Sequence, residues 1–454
     1  MFHCVVSLFL CALQICAAQD DYGEPLFLTP LIESGELEEA KQLSQVVDPQ
    51  FECGGESYSA YLTVNSTVNS NLFFWFFKSQ EANAPVVLWL DGGPGTSSLF
   101  GLFVLNGPFT VINETNIECR EFSWTKAFSV LYIDQPLGTG FSFTDDEDAF
   151  SKDISESTDN LYNALTQFFT LFEEIQFNEF YAIGYSYGGK YIPAIAQKIR
   201  NEENPIFNLK GIACGNAFFD PYSQLSYGPL LYQFSLIDEN LKLGFDEKEK
   251  EIQQLIDDEM FEDAFAAFDR LINKGIFTDA TFYNNATGYN YYYDVRFTND
   301  PINTTSMVAF LDTPSVHNAL HVGNHPFILG GDTNVPVITA LISDFMRSVK
   351  EIVVDVLNSD FRVLIYSGNM DIIEAPVFTS QFLNNLEGWN NREQYINSTH
   401  EIWRLEDEAN DVAGYIKRAN NFAFVIVRNT GHMAPYFQPK VMYSMITQFV
   451  QNSL

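Results

Sequence analysis

Positive charge is scarce in this chain. Lys and Arg number 24 against 59 Asp and Glu, a formal net charge of −35. Such a surface repels DNA, RNA and anionic membranes, so neither a nucleic acid nor a membrane is expected as a partner. It suits an acidic compartment, where some carboxylates are protonated and self-repulsion falls. Cysteine is also rare, and three of the six stand within the first 16 residues. The other three, Cys53, Cys119 and Cys214, leave at least one free thiol or an intermolecular bond. No dense disulfide framework is possible, so a hydrophobic core must hold the fold. The 46% of apolar residues are enough for one.

Long apolar runs are missing too. Val5 to Ala17 is apolar but too short to span a bilayer. It reads as a signal peptide over residues 1–18, with Ala17-Ala18 as the small residues before a cut at Gln19. Its leading segment departs from the pattern in having no Lys or Arg. No later stretch is apolar and long enough for an anchor. A His-Glu-x-x-His pattern is absent as well. His317, His321 and His325 stand four apart, but Gly323 and Pro326 interrupt the helix that would align them. No metal and no cofactor are expected.

What is present agrees with a secretory route. Asn65, Asn113, Asn285, Asn303 and Asn397 each open an N-x-[ST] triplet without proline. They are the expected glycosylation sites of a secreted or lysosomal protein.

After an acidic lead-in to about Asp48, strand-like runs begin. Ser57 to Val64 alternates, and Leu72 to Phe77 is apolar and aromatic throughout, as a buried strand is. Short apolar runs then recur, each ending in a polar or glycine-rich turn. Pro85 to Leu90 leads into Asp91-Gly92-Gly93-Pro94-Gly95, and Ser129 to Ile133 into Asp134-Gln135-Pro136. Phe180 to Ile183 leads into Gly184-Tyr185-Ser186-Tyr187-Gly188-Gly189. Phe361 to Tyr366 leads into Gly368-Asn369-Met370-Asp371, and Phe422 to Val427 into Gly431-His432. Helical patterns such as Ile154 to Phe172 and Tyr191 to Arg200 separate several of them. Buried runs alternating with helices predict an α/β fold, a mostly parallel sheet with helices on both faces. Ligands of such sheets sit beyond the carboxyl ends of the strands, where these polar residues fall. Between residues 218 and 335 the rhythm changes to a charged helical stretch and the tyrosine-rich Tyr289 to Tyr293. The expected organisation is therefore a core over 19–217 and 336–454 with a largely helical cap insertion over 218–335.

Gly184-Tyr185-Ser186-Tyr187-Gly188 fits G-x-S-x-G. The glycines flank the serine because a sharp strand-to-helix turn leaves no room for side chains. A serine nucleophile needs a base, and the base needs an orienting carboxylate. Asp371 and His432 each follow a strand-like run, in the order that α/β-hydrolases carry them. His400 has no such run before it.

Together these pieces resemble the serine carboxypeptidase family over nearly the whole mature chain. The blocks that carry the resemblance are Trp89 to Ser98, Asp134 to Ser142, Gly184 to Gly189, Gly368 to Asp371 and Gly431 to Pro435. Asp145-Asp146 and Ala413-Gly414-Tyr415-Ile416 are most similar to the vitellogenic carboxypeptidase-like branch. The resemblance implies an α/β-hydrolase fold and a triad of Ser186, His432 and Asp371. It implies an oxyanion hole from the backbone N–H groups of Gly93 and Tyr187. It also places Asp91, Gly92, Leu105, Tyr185 and Met433 at the substrate. Three of these depart from the family pattern. The family holds the substrate's terminal carboxylate with an amide and two carboxyls, and here those positions are Asp91, Leu105 and Tyr185.

The reading is a serine-type carboxypeptidase acting on a peptide or other acyl substrate. An esterase or acyltransferase on the same scaffold is the alternative that the altered carboxylate site favours. A non-enzymatic glycoprotein is the second, and the intact triad argues against it.

Overall fold

A computed structural model describes residues 21–81, 83–330, 335–405, 408 and 410–454. The segment read as a signal peptide, residues 1–18, lies outside these residues. Twelve strands occur in the order β1 (Ser57–Asn65), β2 (Ser70–Phe77), β3 (Val86–Leu90), β4 (Phe109–Asn113), β5 (Asn116–Cys119), β6 (Ser129–Ile133), β7 (Glu179–Tyr185), β8 (Asn208–Gly215), β9 (Arg362–Gly368), β10 (Glu401–Trp403), β11 (Gly414–Ala419) and β12 (Phe422–Val427). Ten of them form one sheet in the spatial order β1-β2-β6-β3-β7-β8-β9-β12-β11-β10. The run from β6 to β12 is parallel, and antiparallel strands flank it at both edges. The sheet is the mostly parallel one of an α/β-hydrolase, as the alternation of runs and helices predicts.

The parallel strands are apolar along their length because both faces are covered. Val86 to Leu90 is buried at every position. The aromatic run of β2 shows how the two faces divide. Phe74 and Phe76 face the helix Ile154–Leu171, packing on Phe168, while Phe73, Trp75 and Phe77 belong to the core on the opposite face. That period of two is the pleat of a strand. It makes this run core, with no surface left for a ligand. The helix Ile154–Leu171 starts where it does because the Asp153 side chain accepts from the backbone N–H of Glu156 at 2.9 Å.

Cys53 and Cys119 are joined, which ties the lead-in to β5, and Cys214 is free and buried in β8. All five sequon asparagines are exposed. Among the described residues no helix is long and apolar enough to cross a membrane.

The stretch between β8 and β9 holds helices and no named strand among the described residues. It does not act as a cap along its whole length. Met307, Phe310, Leu311, Val316, Leu320 and Phe327 join the sheet's own core, and Leu320 accepts from the Ser59 hydroxyl of β1. The site is flanked by the helix Phe261–Phe268, by the segments around Asn273, Tyr293, Asp300 to Thr304 and Leu329, and by the later helices Val335–Ala340 and Ile342–Phe345.

Candidate active site

The carboxyl ends of β3, β7, β8 and β9 and the loop after β12 converge on one place. Ser186 follows β7 directly and has φ of +57°, a left-handed conformation that side chains rarely adopt. The turn is held by Ser186 N–H donating to Gly215 O at 2.9 Å and by Gly189 N–H donating to Ser186 O at 2.8 Å. The helix Gly188–Asn201 starts at once behind it. The loop after β3 is pressed against this turn. A Cβ on Gly92 would sit 2.8 Å from both Ser186 Cβ and Tyr187 N, so only glycine lets the two meet. That places the Gly92-Gly93 turn beside Tyr187. Asp134, fully buried after β6, fixes the far end of the same loop. It accepts from Ser97 Oγ at 2.6 Å and from the N–H groups of Ser98 and Phe141, both at 2.9 Å. Burial pushes its carboxyl up to about 6.

His432 and Asp371 meet, with Nδ1 and Oδ2 2.7 Å apart and both side chains almost fully buried. His432 Nε2 is buried and has no hydrogen-bond partner among the described residues. His432 and Ser186 line one cavity of about 190 Å³. The imidazole is wedged between the rings of Tyr293, 4.8 Å away, and Tyr185, 5.5 Å away.

Asp371 has further partners that the sequence did not reveal. Asn216, buried at the end of β8 with φ of +41°, donates from Nδ2 to Asp371 Oδ2 at 2.7 Å. The Glu374 N–H donates to Oδ1 at 3.3 Å. The Glu374 carboxyl is itself buried, accepting from Gln224 Nε2 at 2.9 Å. Burial, and then the nearby charge of Asp371, hold it well above the ordinary carboxyl range. The one hint in the sequence was the polar Asn216 directly after an apolar run, in the same strand-end position as the other site residues.

Of the five expected substrate residues, Tyr185 and Met433 line the cavity. Asp91, Gly92 and Leu105 do not. Gly92 is spent on the contact with Ser186, and Leu105 is 1% exposed within the apolar core. Asp91 is turned inward, where its Oδ2 accepts from Trp89 Nε1 at 2.5 Å and from Gly101 N–H at 3.1 Å. Tyr185 lies over it, stacked on Trp89. Burial pushes the Asp91 carboxyl up to about 8 despite these donors. It therefore keeps its proton in acid, and since it does not line the cavity it does not confront a substrate carboxylate there. The cavity walls that the motifs missed come from the insertion: Phe265, Asn273, Asp300, Ile302 and Thr304. Among the described residues no Lys or Arg lines it.

The three histidines of the four-spaced run do not converge. His317 Nδ1 pairs with Gly323 O at 2.7 Å, His321 Nδ1 with Ser59 O at 3.0 Å, and His325 stacks on Phe143.

The family model for serine carboxypeptidases matches residues 49–452. A venom serine carboxypeptidase of Apis mellifera is 42% identical over 440 residues, covering 96% of this chain and 92% of that protein. A probable serine carboxypeptidase, CPVL, of Homo sapiens is 41% identical, covering 95% and 90%. A vitellogenic carboxypeptidase of Aedes aegypti is 38% identical, covering 95% and 91%. Among solved structures, the prohormone-processing carboxypeptidase Kex1 of Saccharomyces cerevisiae superposes with a TM-score of 0.73 at 22% identity, covering 91% of this chain and 96% of that one, a likeness of fold. The esterase, acyltransferase and non-enzymatic readings gain nothing from these matches.

Proposed function

The chain belongs to the serine carboxypeptidase family, and on that premise we propose that it releases C-terminal residues from peptides through an acyl-enzyme formed on Ser186. It is a serine-type peptidase. The observation that carries the assignment of roles is the state of His432. One ring nitrogen is bound to a buried carboxylate, and the other is unpartnered in the cavity that Ser186 shares.

In this reading Ser186 Oγ attacks the scissile carbonyl carbon as His432 Nε2 takes its proton. General-base assistance of this kind contributes about 10²- to 10⁴-fold. Asp371 accepts from Nδ1–H, which fixes the tautomer and stabilises the imidazolium. The N–H groups of Gly93 and Tyr187 receive the developing oxyanion, each worth about 10²- to 10³-fold. His432 then gives its proton to the departing amine, which leaves as the free C-terminal amino acid. Water, deprotonated by the same nitrogen, attacks the ester and frees Ser186.

The cavity supports a preference for apolar residues around the scissile bond, because Phe100, Phe265, Ile302, Leu329, Phe345 and Met433 line it. Exposed sequons at Asn65, Asn113, Asn285, Asn303 and Asn397 and the Cys53–Cys119 bond support a glycosylated protein of the secretory route, exported or held in lysosomes. The decisive test is labelling by a serine-directed phosphonate, alongside hydrolysis of a blocked dipeptide ending in an apolar residue. Both are expected in the wild type and absent in Ser186→Ala. Labelling that persists in the variant would remove Ser186 from its role.

A further inference from the structure

A short piece of the insertion, Tyr292 to Arg296, threads between the two loops that carry Asp371 and His432. It bonds to both. Tyr292 O accepts from the N–H groups of Ile372 and Ile373 at 3.3 and 3.2 Å, and Val295 N–H donates to Met370 O at 2.9 Å. On the other side, His432 N–H donates to Tyr293 O at 2.7 Å. One side chain completes the clasp. Asp294, with no exposed side-chain surface, accepts from the Gly431 N–H through Oδ2 at 2.8 Å.

Asp294 is itself braced. Arg296 reaches back with Nε to Oδ1 at 2.8 Å and Nη2 to Oδ2 at 2.5 Å, a two-point grip that fixes the plane of the carboxylate. The same guanidinium lies over the ring of Phe437, 4.9 Å away, in the helix Ala434–Phe437 that follows His432. The pair thus holds the histidine loop from both ends. The fit is tight, since a Cβ on Gly431 would sit 2.1 Å from Tyr293 O and 2.7 Å from Asp294 Cβ.

We infer that Asp294, braced by Arg296, is a positioning residue for His432: it fixes the backbone at Gly431 and so keeps the imidazole in register with Asp371 on one side and Ser186 on the other. Asp294 is not itself among the residues that line the cavity with Ser186, so it acts through the loop. The His432 loop follows the end of β12 and meets the loop after β9 through Met370 N–H donating to Thr430 O at 2.9 Å, and among the described residues the His432 ring has one hydrogen bond, to Asp371. A displacement of the loop by about 1 Å is enough to cost around 10²-fold in rate. Most of the cavity wall, including Phe100, Phe265, Ile302, Leu329 and Phe345, comes from other segments and is left in place.

The inference rests on the reading of His432 as the base. The test uses the full-length glycoprotein with Asp294→Ala, Asp294→Asn and Arg296→Ala, each checked for folding by thermal melting. The readouts are kcat and KM on a blocked dipeptide and the rate of labelling by a serine-directed phosphonate. Asp294→Ala is expected to lower kcat about 10- to 100-fold with KM within about two-fold, and to slow labelling in parallel. Asp294→Asn keeps an oxygen for the Gly431 N–H but turns an amide NH2 towards the Arg296 guanidinium, so it is expected to lose about three- to ten-fold in kcat, as Arg296→Ala does and less than the alanine. A folded Asp294→Ala with wild-type kcat, a rise in KM alone, or an Asp294→Asn as impaired as the alanine would overturn the inference. If Asp294→Ala does not fold, Arg296→Ala decides. Arg296 is one-third exposed, so its loss is tolerated by the core. Its kcat should fall about three- to ten-fold at unchanged KM, and an unchanged kcat refutes the bracing. A wild type that the phosphonate does not label sinks the catalytic reading itself, whereas a labelled wild type with an equally fast Asp294→Ala sinks only the clasp.

Discussion

The two halves of the site are built in different ways. The nucleophile side is built around one turn. Ser186 is held by its own strand-to-helix turn, by Gly215 at the end of the neighbouring strand and by the glycine loop after β3. The base side is assembled from distant pieces: His432 after β12, Asp371 after β9, Asn216 after β8 and the Tyr292–Arg296 clasp from the insertion. A turn pinned by backbone bonds and steric exclusion has few ways to relax. A hydrogen-bonded assembly of four segments has more, because each partner contributes separately. The nucleophile side should therefore tolerate no change of shape, and the base side should degrade in steps.

The largest expected step is the loss of the carboxylate. Asp371→Asn leaves the volume unchanged but presents an N–H to His432 Nδ1, which favours the wrong tautomer. A loss of about 10⁴-fold in kcat is expected, with KM nearly unchanged. A loss below about ten-fold would mean that Asp371 does not orient the base. Next come the two glycines that let loops touch. Gly92→Ala and Gly431→Ala both force a Cβ into backbone atoms. The first should slow phosphonate labelling and peptide hydrolysis alike by about 10²-fold through Ser186. The second should do so through His432, and the clasp variants should add little to it. Full additivity between Gly431→Ala and Asp294→Ala, measured as a double-mutant cycle, would argue that the two do not share a loop movement.

A smaller step is expected at Asn216. Its bond to a carboxylate is of the charge-assisted kind, worth about 1.5–3 kcal/mol, so Asn216→Ala should cost roughly 10- to 100-fold in kcat. Wild-type kcat would show that Asp371 is held well enough without it.

The smallest effect on activity is expected at Asp91, and a larger one on stability. Since Asp91 does not line the cavity, Asp91→Asn should leave kcat/KM at pH 5 within about three-fold. Its carboxyl is pushed up to about 8 by burial, whereas in the unfolded chain it ionises near 4. Between those values the unfolded chain has released a proton that the folded protein keeps. Stability from this group is therefore fully present below about pH 4 and is lost as pH rises towards 8. Asp134 and Glu374 are shifted in the same direction and add to the trend. The melting temperature should fall from pH 5 to pH 8, and Asp91→Asn should flatten that fall. Parallel curves for the two proteins would place the pH dependence elsewhere.

Sequence and structure differ most at the substrate positions. Asp91 reads as a group facing an incoming carboxylate because its place in the Trp89 to Ser98 block implies it. The indole N–H of Trp89, two residues earlier on the same face of the strand, draws it inward instead. Leu105 reads as a departure at a binding position and is simply core. The insertion shows the same limit. Its helical character is legible, but the return of Met307 to Phe327 to the sheet core is not, since an apolar helix face does not say which surface it covers.

The sequence by itself determined the parallel sheet, the turn at Ser186 and the placing of Ser186, Asp371 and His432 after strands of it. These follow from local rules: apolar runs with both faces covered, glycines where a side chain cannot fit, and polar residues at strand ends. Only the tertiary structure decided that Asn216 bonds to Asp371 and Asp294 to the His432 loop, that Asp91 is buried and turned away, and which insertion residues wall the cavity. Each of these depends on atoms from segments far apart in the chain, and on how completely folding removes them from water. Neither a contact across tens to hundreds of residues nor the burial that shifts a carboxyl is encoded in the neighbours of a residue along the chain.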